Sequence, residues 1–297
     1  MLRLIFTVGL GILTLTQAQC QLKKFYSLKE DGSFDTVKLT LEATSSTCYV
    51  RTAKNSDPLN IYGNPDLDKI NPTYKARINQ KVCDVQLGLE EFNSDGIGDG
   101  LSLSAMFTNT SKTTNKDYWK IYLTDTKIYD LNMHYGIGDA NLDLSGTSVS
   151  KIKINTGSAN VKAGFMDGLL NGVEMDTFYV KVDLGSFEAP NLNLMNASNV
   201  IADIGFGSAS LDFSGTSNKR CKVKTTVGAG NLDILLPDTD VPMIIYVKDS
   251  PLCGIKIAKG FEEVEDNVYV NMSYAEDADN LVIFDVDVAL GNVSFHR

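Results

Sequence analysis

Two histidines, His134 and His296, are the chain's entire stock of imidazole, which limits the acid–base chemistry it can perform. His134 lies between Met133 and Tyr135 in an alternating run, so it faces away from both. His296 is the penultimate residue. Neither stands in a nucleophile arrangement with a serine or cysteine, so a Ser-His-Asp site is not supported. Carboxylates are the stronger candidates. Asp139, Asp143, Glu188, Asp212 and Asp233 fall on the polar parity of alternating segments. Two such acids within ~5–9.5 Å could cleave a glycosidic bond. A strand with one wet face produces the same pattern without any chemistry, and that is the reading taken here.

Other candidates are weaker. Asp95-Gly96-Ile97-Gly98-Asp99-Gly100 spaces acids and glycines as oxygen-ligand calcium loops do, but lacks the later acid of an EF-hand and reads as a polar turn. Glu276-Asp277-Ala278-Asp279 reads as a solvated loop. No glycine-rich stretch is followed by Lys-Ser/Thr and a helix, so a phosphate cradle is not indicated. Tyr118, Trp119 and Tyr122 could stack on sugars. Trp119 shares a parity with Ile121 and Leu123 and belongs to the core, whereas Tyr118 and Tyr122 face the other way. No catalytic residue, metal or cofactor is assigned.

The N-terminus gives an address. Arg3 precedes an apolar run from Leu4 to Leu15, then Thr16-Gln17-Ala18. This is the pattern of a secretory signal peptide over residues 1–18, and the run is too short to span a bilayer. Cys20 raises lipidation, but Gln17 and Gln19 suit a lipoprotein signal badly. The expected location is secreted, periplasmic or cell-surface, with no membrane span after cleavage. Cys48, Cys83, Cys221 and Cys253 are then candidates for disulfides, one per half in the simplest map: Cys48–Cys83 and Cys221–Cys253. Buried free thiols are the alternative. Without a C-x-x-C pair or Cys/His cluster, zinc is not suggested.

The chain has 297 residues, 43% of them hydrophobic, and a formal charge of −10. That is enough for two domains with a full core, and the acidity argues against a nucleic-acid partner.

The elements that would position these residues come from an internal repeat. Gly138-Asp139-Ala140-Asn141-Leu142-Asp143-Leu144 aligns with units beginning at Gly157, Gly207 and Gly228. A weaker copy starts at Gly185, and the last is Ala289 to Phe295. After each anchor, apolar and polar residues alternate, the signature of a strand with one buried face. Before it, Leu131, Met133, Tyr135 and Ile137 share a parity, as do Val200, Ala202, Ile204 and Phe206. The parity flips at the anchor, so Gly138, Gly157, Gly185, Gly207 and Gly228 read as corners, which glycine tolerates. Turns such as Leu144-Ser145-Gly146-Thr147 follow. A single unit cannot bury its apolar face, but stacked copies can. The final step of 61 residues reads as three further units, although residues 237–290 show no clear glycine corners.

The run from Leu131 to Gly146, with Lys151 to Ala159, Gly207 to Gly215 and Gly228 to Pro237, resembles the toast-rack family of bacterial envelope and secreted proteins. That family is similar to putative adhesin head domains and to the β-helical domain of cell-wall-antibiotic response proteins. The resemblance covers roughly residues 118–297. It implies a fold more than a function, with roles in adhesion, surface scaffolding or envelope sensing.

Residues 22–130 alternate too, at Val37–Leu41, Val82–Leu89, Leu101–Leu103 and Trp119–Leu123, without a repeat. The expectation is an all-β protein: an N-terminal β-rich capping domain over residues 19–125, then a right-handed β-helix-like, toast-rack β-solenoid over residues 126–297. The expected function is a non-enzymatic adhesion, scaffold or binding module for a protein or glycan partner. The alternatives are a carbohydrate-active enzyme on the solenoid face and an envelope-stress sensor.

Overall fold

The structure is a computed structural model that describes residues 23–67, 69–91, 118–248 and 251–297. The signal peptide, Cys20, Leu101–Leu103 and the Asp95–Gly100 segment lie outside the described residues. Within them the chain is β throughout apart from one short 3-10 turn, Leu192–Leu194. The strands before the repeat are β1 (Lys24–Leu28), β2 (Thr36–Thr52), β3 (Leu59–Asn64), β4 (Ile70–Asn79), β5 (Val82–Glu91) and β6 (Tyr118–Leu123). The repeat supplies β7 (Ile128–Asp143), β8 (Ser148–Thr156), β9 (Asn160–Gly164), β10 (Met175–Val182), β11 (Ser186–Ala189), β12 (Ala197–Ile204), β13 (Ser208–Asp212), β14 (Cys221–Val227) and β15 (Asn231–Leu235). The end of the chain adds β16 (Met243–Lys248), β17 (Gly254–Lys256), β18 (Phe261–Glu265), β19 (Val268–Asn271), β20 (Val282–Val288) and β21 (Asn292–His296).

These strands form a solenoid of two parallel ladders meeting at a bend, not closed into a barrel. The first ladder stacks β2, β7, β8, β10, β12, β14, β20 and β16. The second stacks β6, the later half of β2, the later half of β7, then β9, β11, β13, β15, β21 and β17. Period-two alternation, with Val, Ile and Leu on one parity, produces this arrangement. Leu131, Ile152, Phe178, Val200, Val223 and Phe284 line the interior, as do Leu142, Leu211, Ile234 and Phe295 from the second ladder. Fully burying each such side chain contributes roughly 1.5–3 kcal/mol.

The corner is a three-residue device rather than one glycine. Register places Gly136, Gly157, Asp183, Gly205, Gly228 and Ala289 in one column and Gly138, Ala159, Gly185, Gly207, Gly230 and Gly291 in a second, two residues on. Gly157 and Gly228 therefore belong to a different column from Gly138, Gly185 and Gly207. In the second column a β-carbon on Gly207, Gly230 or Gly291 would sit 2.3 Å from the carbonyl oxygen of the preceding rung. The residue between the columns stands at the apex, and Ile137, Leu184, Phe206, Ala229 and Leu290 point out there. Ile137 and Phe206, assigned by parity to the interior, are accordingly 46% and 74% exposed.

The far side of each coil is closed by loops. Buried Asn171 ties two of them together, accepting from the Val149 N–H at 2.8 Å and donating to the Val149 and Met195 carbonyls at 2.8 and 3.0 Å. Asn271 repeats the device at the other end of the stack, with the Met243 N–H and the Val241 and Thr239 carbonyls. Such bonds satisfy backbone groups that a buried loop would otherwise strand.

The expectation of three more units before Ala289 is overturned. β20 lies beside β14, and β21 beside β15, so the step of 61 residues is one rung in space. The intervening chain forms β16 and β17 on the outer side of β20 and β21, and the β18–β19 hairpin pairs antiparallel with β16. At the opposite end β4 pairs antiparallel with β5, and β3 and β1 extend antiparallel from β6. Tyr129 donates to the Pro58 carbonyl at 2.7 Å, and buried Lys127 donates to the Phe34 carbonyl at 2.6 Å and pairs with Glu30.

Neither expected disulfide is formed: Cys48, Cys83 and Cys221 are buried free thiols and Cys253 is a half-buried one. The register explains why. Cys83 lies opposite Val37 of β2, while Cys48 is eleven positions further along that strand. Eleven residues of strand span ~36 Å, less at a bend, and a disulfide tolerates at most ~7 Å between α-carbons. Cys221 lies opposite Val282, at the start of β20, and Cys253 precedes Gly254, which lies opposite Asn292 in the other ladder.

Candidate binding face

The outward acids fall on the wet face of the stack, all five on strands of the second ladder, and each has a local partner. Asp139 accepts from Asn160 at 3.3 Å. Glu188 pairs with Lys162 at 2.5 Å. Asp143 accepts from the N–H groups of Ser145 and Met166, and Asp212 from that of Ser214. Asp233 meets His296 Nε2 at 3.1 Å. Glu188 and Asp233 share a row with Ser210 between them, so their backbones are ~10 Å apart at one rung per ~4.8 Å. Lys162 draws Glu188 toward the other side. No two of the five stand directly opposite each other on neighbouring rungs, and each is engaged by a local hydrogen bond or ion pair.

The face is instead an organised field of small polar groups. Residues Thr47, Asp139, Asn160, Ser186, Ser208, Asn231 and Asn292 form one continuous row across the rungs. Ser186 donates to Asn160 Oδ1 at 2.7 Å, and Asn292 to Asn231 Oδ1 at 3.0 Å. A row of this kind offers donors and acceptors at a fixed repeat to a hydroxyl-rich or peptide ligand.

His134 is exposed on the other ladder, 2.5 Å from Asn155 Nδ2. On that ladder Tyr179 donates to Asp203 at 2.9 Å, and burial with that bond pushes the phenol up to about 12. Among the described residues no three His, Cys, Asp or Glu side chains come together as a metal site. Glu276, Asp277 and Asp279 occupy a turn-rich loop in which Arg220 donates to the Glu276 carbonyl. Trp119 is fully buried, while Tyr118 and Tyr122 are partly exposed on the outer face. Sequence reasoning missed what surrounds them: Tyr49 and Arg51 of β2, Tyr62 of β3 and Phe25 of β1. Parity places each of these outward singly, but only the pairing of distant strands brings them together.

The fold and face together define a β-solenoid that displays a long polar surface. Residues 101–189 match the family model described as the N-terminal domain of toast_rack, DUF2154. The match runs through β6 to the end of β11 and bears out the resemblance drawn from the repeat. The chain is also similar to a crystal structure described as a putative cell adhesion protein from Clostridium sporogenes, at 15% identity and a TM-score of 0.47, covering 92% of this chain and 98% of that one. A second, described as a putative adhesin from Bacteroides fragilis, is 13% identical with a TM-score of 0.39, covering 93% of this chain and 96% of that one. No curated protein matches the chain. Among the described residues no helix is long and apolar enough to cross a membrane.

Proposed function

We propose that this chain is a non-enzymatic binding module of the cell exterior or envelope, acting in adhesion or as a surface scaffold. In this reading residues 19–125 close one end of the stack and residues 126–297 present its surface. The observation that carries it is the row from Thr47 to Asn292, a hydrogen-bonding field fixed by ladder backbone whose neighbouring acids are engaged locally. A rigid face has little conformational entropy left to lose on binding. The signal-peptide pattern of residues 1–18 supports a location outside the cytoplasm.

The test is to present the secreted chain to cell-wall and host glycans and to matrix proteins, and to compare adherence of cells with and without it. The expected result is binding without turnover of the bound glycan. Release of shortened sugars, abolished by Asp233→Asn, would move the chain to the carbohydrate-active enzymes. Blank arrays with unchanged adherence would remove the adhesion reading.

One observation favours the sensor alternative. Leu184, Phe206 and Leu290 stand at the corner apex of successive or near-successive rungs, 43%, 74% and 57% exposed. An apolar ridge is the kind of surface a protein partner covers. A photo-crosslinker at position 206 that captures an envelope membrane protein in cells would favour sensing, and capture of none would favour adhesion.

A further inference from the structure

The second ladder changes character at its N-terminal end. Across most of the stack its outer face carries Asn, Ser and Asp, but over β6 and its neighbours it carries tyrosines and cations. Lys120 of β6 is the centre of this patch. Register puts Tyr62 opposite it on β3 and Tyr49 opposite it on β2. Tyr118 and Tyr122 flank it on its own strand, on the same face. The ammonium is thus ringed by four tyrosines, with Nζ 5.1 Å from the centroid of Tyr118. Tyr62 meets Tyr122 edge-on at 5.7 Å and packs against Phe25 at 4.8 Å, which holds the rings in place. Arg51 lies opposite Tyr122. Shallow depressions flank the Tyr118–Lys120–Tyr122 strip, one toward β1 and β3 and the other toward β2. Neither Lys120 nor Arg51 forms an ion pair with another described residue.

Lys120 and Arg51 make this patch locally positive on a chain of charge −10. Elsewhere on this ladder Lys162 is taken up by Glu188. Cations held among aromatic rings match a ligand with both anionic groups and apolar ring faces. The patch spans three strands, ~10 Å, and five residues of strand, ~13 Å, which suits a short oligomer. A nucleic acid fits less well. Its charge is continuous, and beyond Thr47 and Tyr49 the next strand presents Asp139 and Asn141, with Asp143 further along it, so a longer polyanion would be repelled. The adjoining Thr47 and Asn141 can instead hydrogen-bond hydroxyl groups.

We propose that this aromatic and basic patch binds an anionic saccharide, with sugar rings lying on the tyrosines and carboxylate or sulfate groups on Lys120 and Arg51. The inference rests on the reading of the chain as a surface-binding module and names the ligand class and the site.

The secreted chain is titrated by calorimetry with four probes: tetragalacturonate, a heparin tetrasaccharide, neutral maltotetraose and a single-stranded oligothymidylate. Binding of one or both acidic sugars is expected, at least about tenfold tighter than maltotetraose, as charge-assisted bonds require, and weakening with salt. The first probe reports carboxylate and the second sulfate. Lys120→Met with Arg51→Met should weaken binding about tenfold or more, Tyr62→Ala several-fold, and Lys120→Arg should retain it. Lys222→Met, which removes an exposed lysine on the other ladder, should leave it unchanged. Circular dichroism confirms the fold of each variant. Equal or tighter binding of the oligonucleotide, indifference to the Lys120 and Arg51 changes, or no binding of either acidic sugar would overturn the site. If cells displaying the chain still adhere through it, the site fails alone. If adherence is absent too, the module reading fails with it.

Discussion

From Ser148 to Leu235 each coil settles on the one made just before it. β8, β10, β12 and β14 follow one another in space as they do in sequence, and so do β9, β11, β13 and β15. From Met243 onward the order changes. β16 and β17 occupy the outer rung, β18 and β19 fold onto β16, and β20 and β21 fill the place between that rung and the β14–β15 coil. Corner chemistry differs between the two coils. The coil of β20 and β21 carries Gly291, which can lie against the Gly230 carbonyl as Gly230 lies against that of Gly207. In the coil of β16 and β17, Gly254 lies opposite Asn292, so the place beside Gly291 is held by Cys253. The transposition thus keeps the glycine column continuous from Gly185 through Gly207 and Gly230 to Gly291.

The comparison breaks most severely at the glycines. Gly207→Ala puts a carbon 2.3 Å from the Gly185 carbonyl oxygen, 2.7 Å from the Val182 side chain and 3.2 Å from the Leu184 carbonyl carbon, and the backbone of the preceding rung cannot yield. The expected loss is ~3 kcal/mol or more, read by urea unfolding. Gly254→Ala meets the side-chain oxygen of Asn292 instead, which can rotate away, and should cost ~1 kcal/mol or less. Equal losses at the two sites would mean that corners are no more constrained within the regular coils than on the outer rung.

Asn171 and Asn271 test whether the two regions share a device. Each is buried and bonded to three backbone groups, so Asn171→Ala and Asn271→Ala should each cost ~2–3 kcal/mol in the same unfolding assay. A much smaller loss for Asn271→Ala would show the outer rung to be loosely attached.

The effect expected of the thiols is smaller. Burial pushes Cys48 and Cys221 up to about 12, from an ordinary value of 9.0. The folded chain keeps these protons where the unfolded chain releases them. Their contribution to stability is thus complete below pH 9 and is lost as pH rises from about 9 toward 12. The variant with Cys48→Ala and Cys221→Ala should show a shallower decline over that window. At pH 8, Cys253 should react with a thiol reagent in the native chain while Cys48, Cys83 and Cys221 stay protected.

Much of the regular region is legible in the residues. Alternation gave the strands, and Gly146, with a φ of 71°, sits in the turn read for it. The corner was read too simply because Gly157 and Gly228 occupy the first of its two glycine positions and Gly138 and Gly207 the second, a distinction visible only in register. β2 was not recognised as a coil because Thr44, Ser45 and Ser46 stand at its corner. It needs no glycine there: among the described strands, β5 pairs with it as far as Ala43 and β6 only from Thr47. The transposed last coil left no local trace. At the candidate site the outward parity of Tyr118 and Tyr122 was readable. Their meeting with Tyr49, Arg51 and Tyr62 was not, since antiparallel β3 and parallel β2 reach β6 from distant parts of the chain.

The transposition is tested most directly by cysteine pairs across the rungs. In the structure Asp233 lies opposite Ser294, whose other neighbour is Lys256. One rung, ~4.8 Å, is within disulfide reach and two rungs, ~10 Å, are not. Under mild oxidation the variant with Asp233→Cys and Ser294→Cys should crosslink rapidly, and the variant with Asp233→Cys and Lys256→Cys should not. Rapid crosslinking of positions 233 and 256, with none between 233 and 294, would place β17 next to β15 and contradict the account.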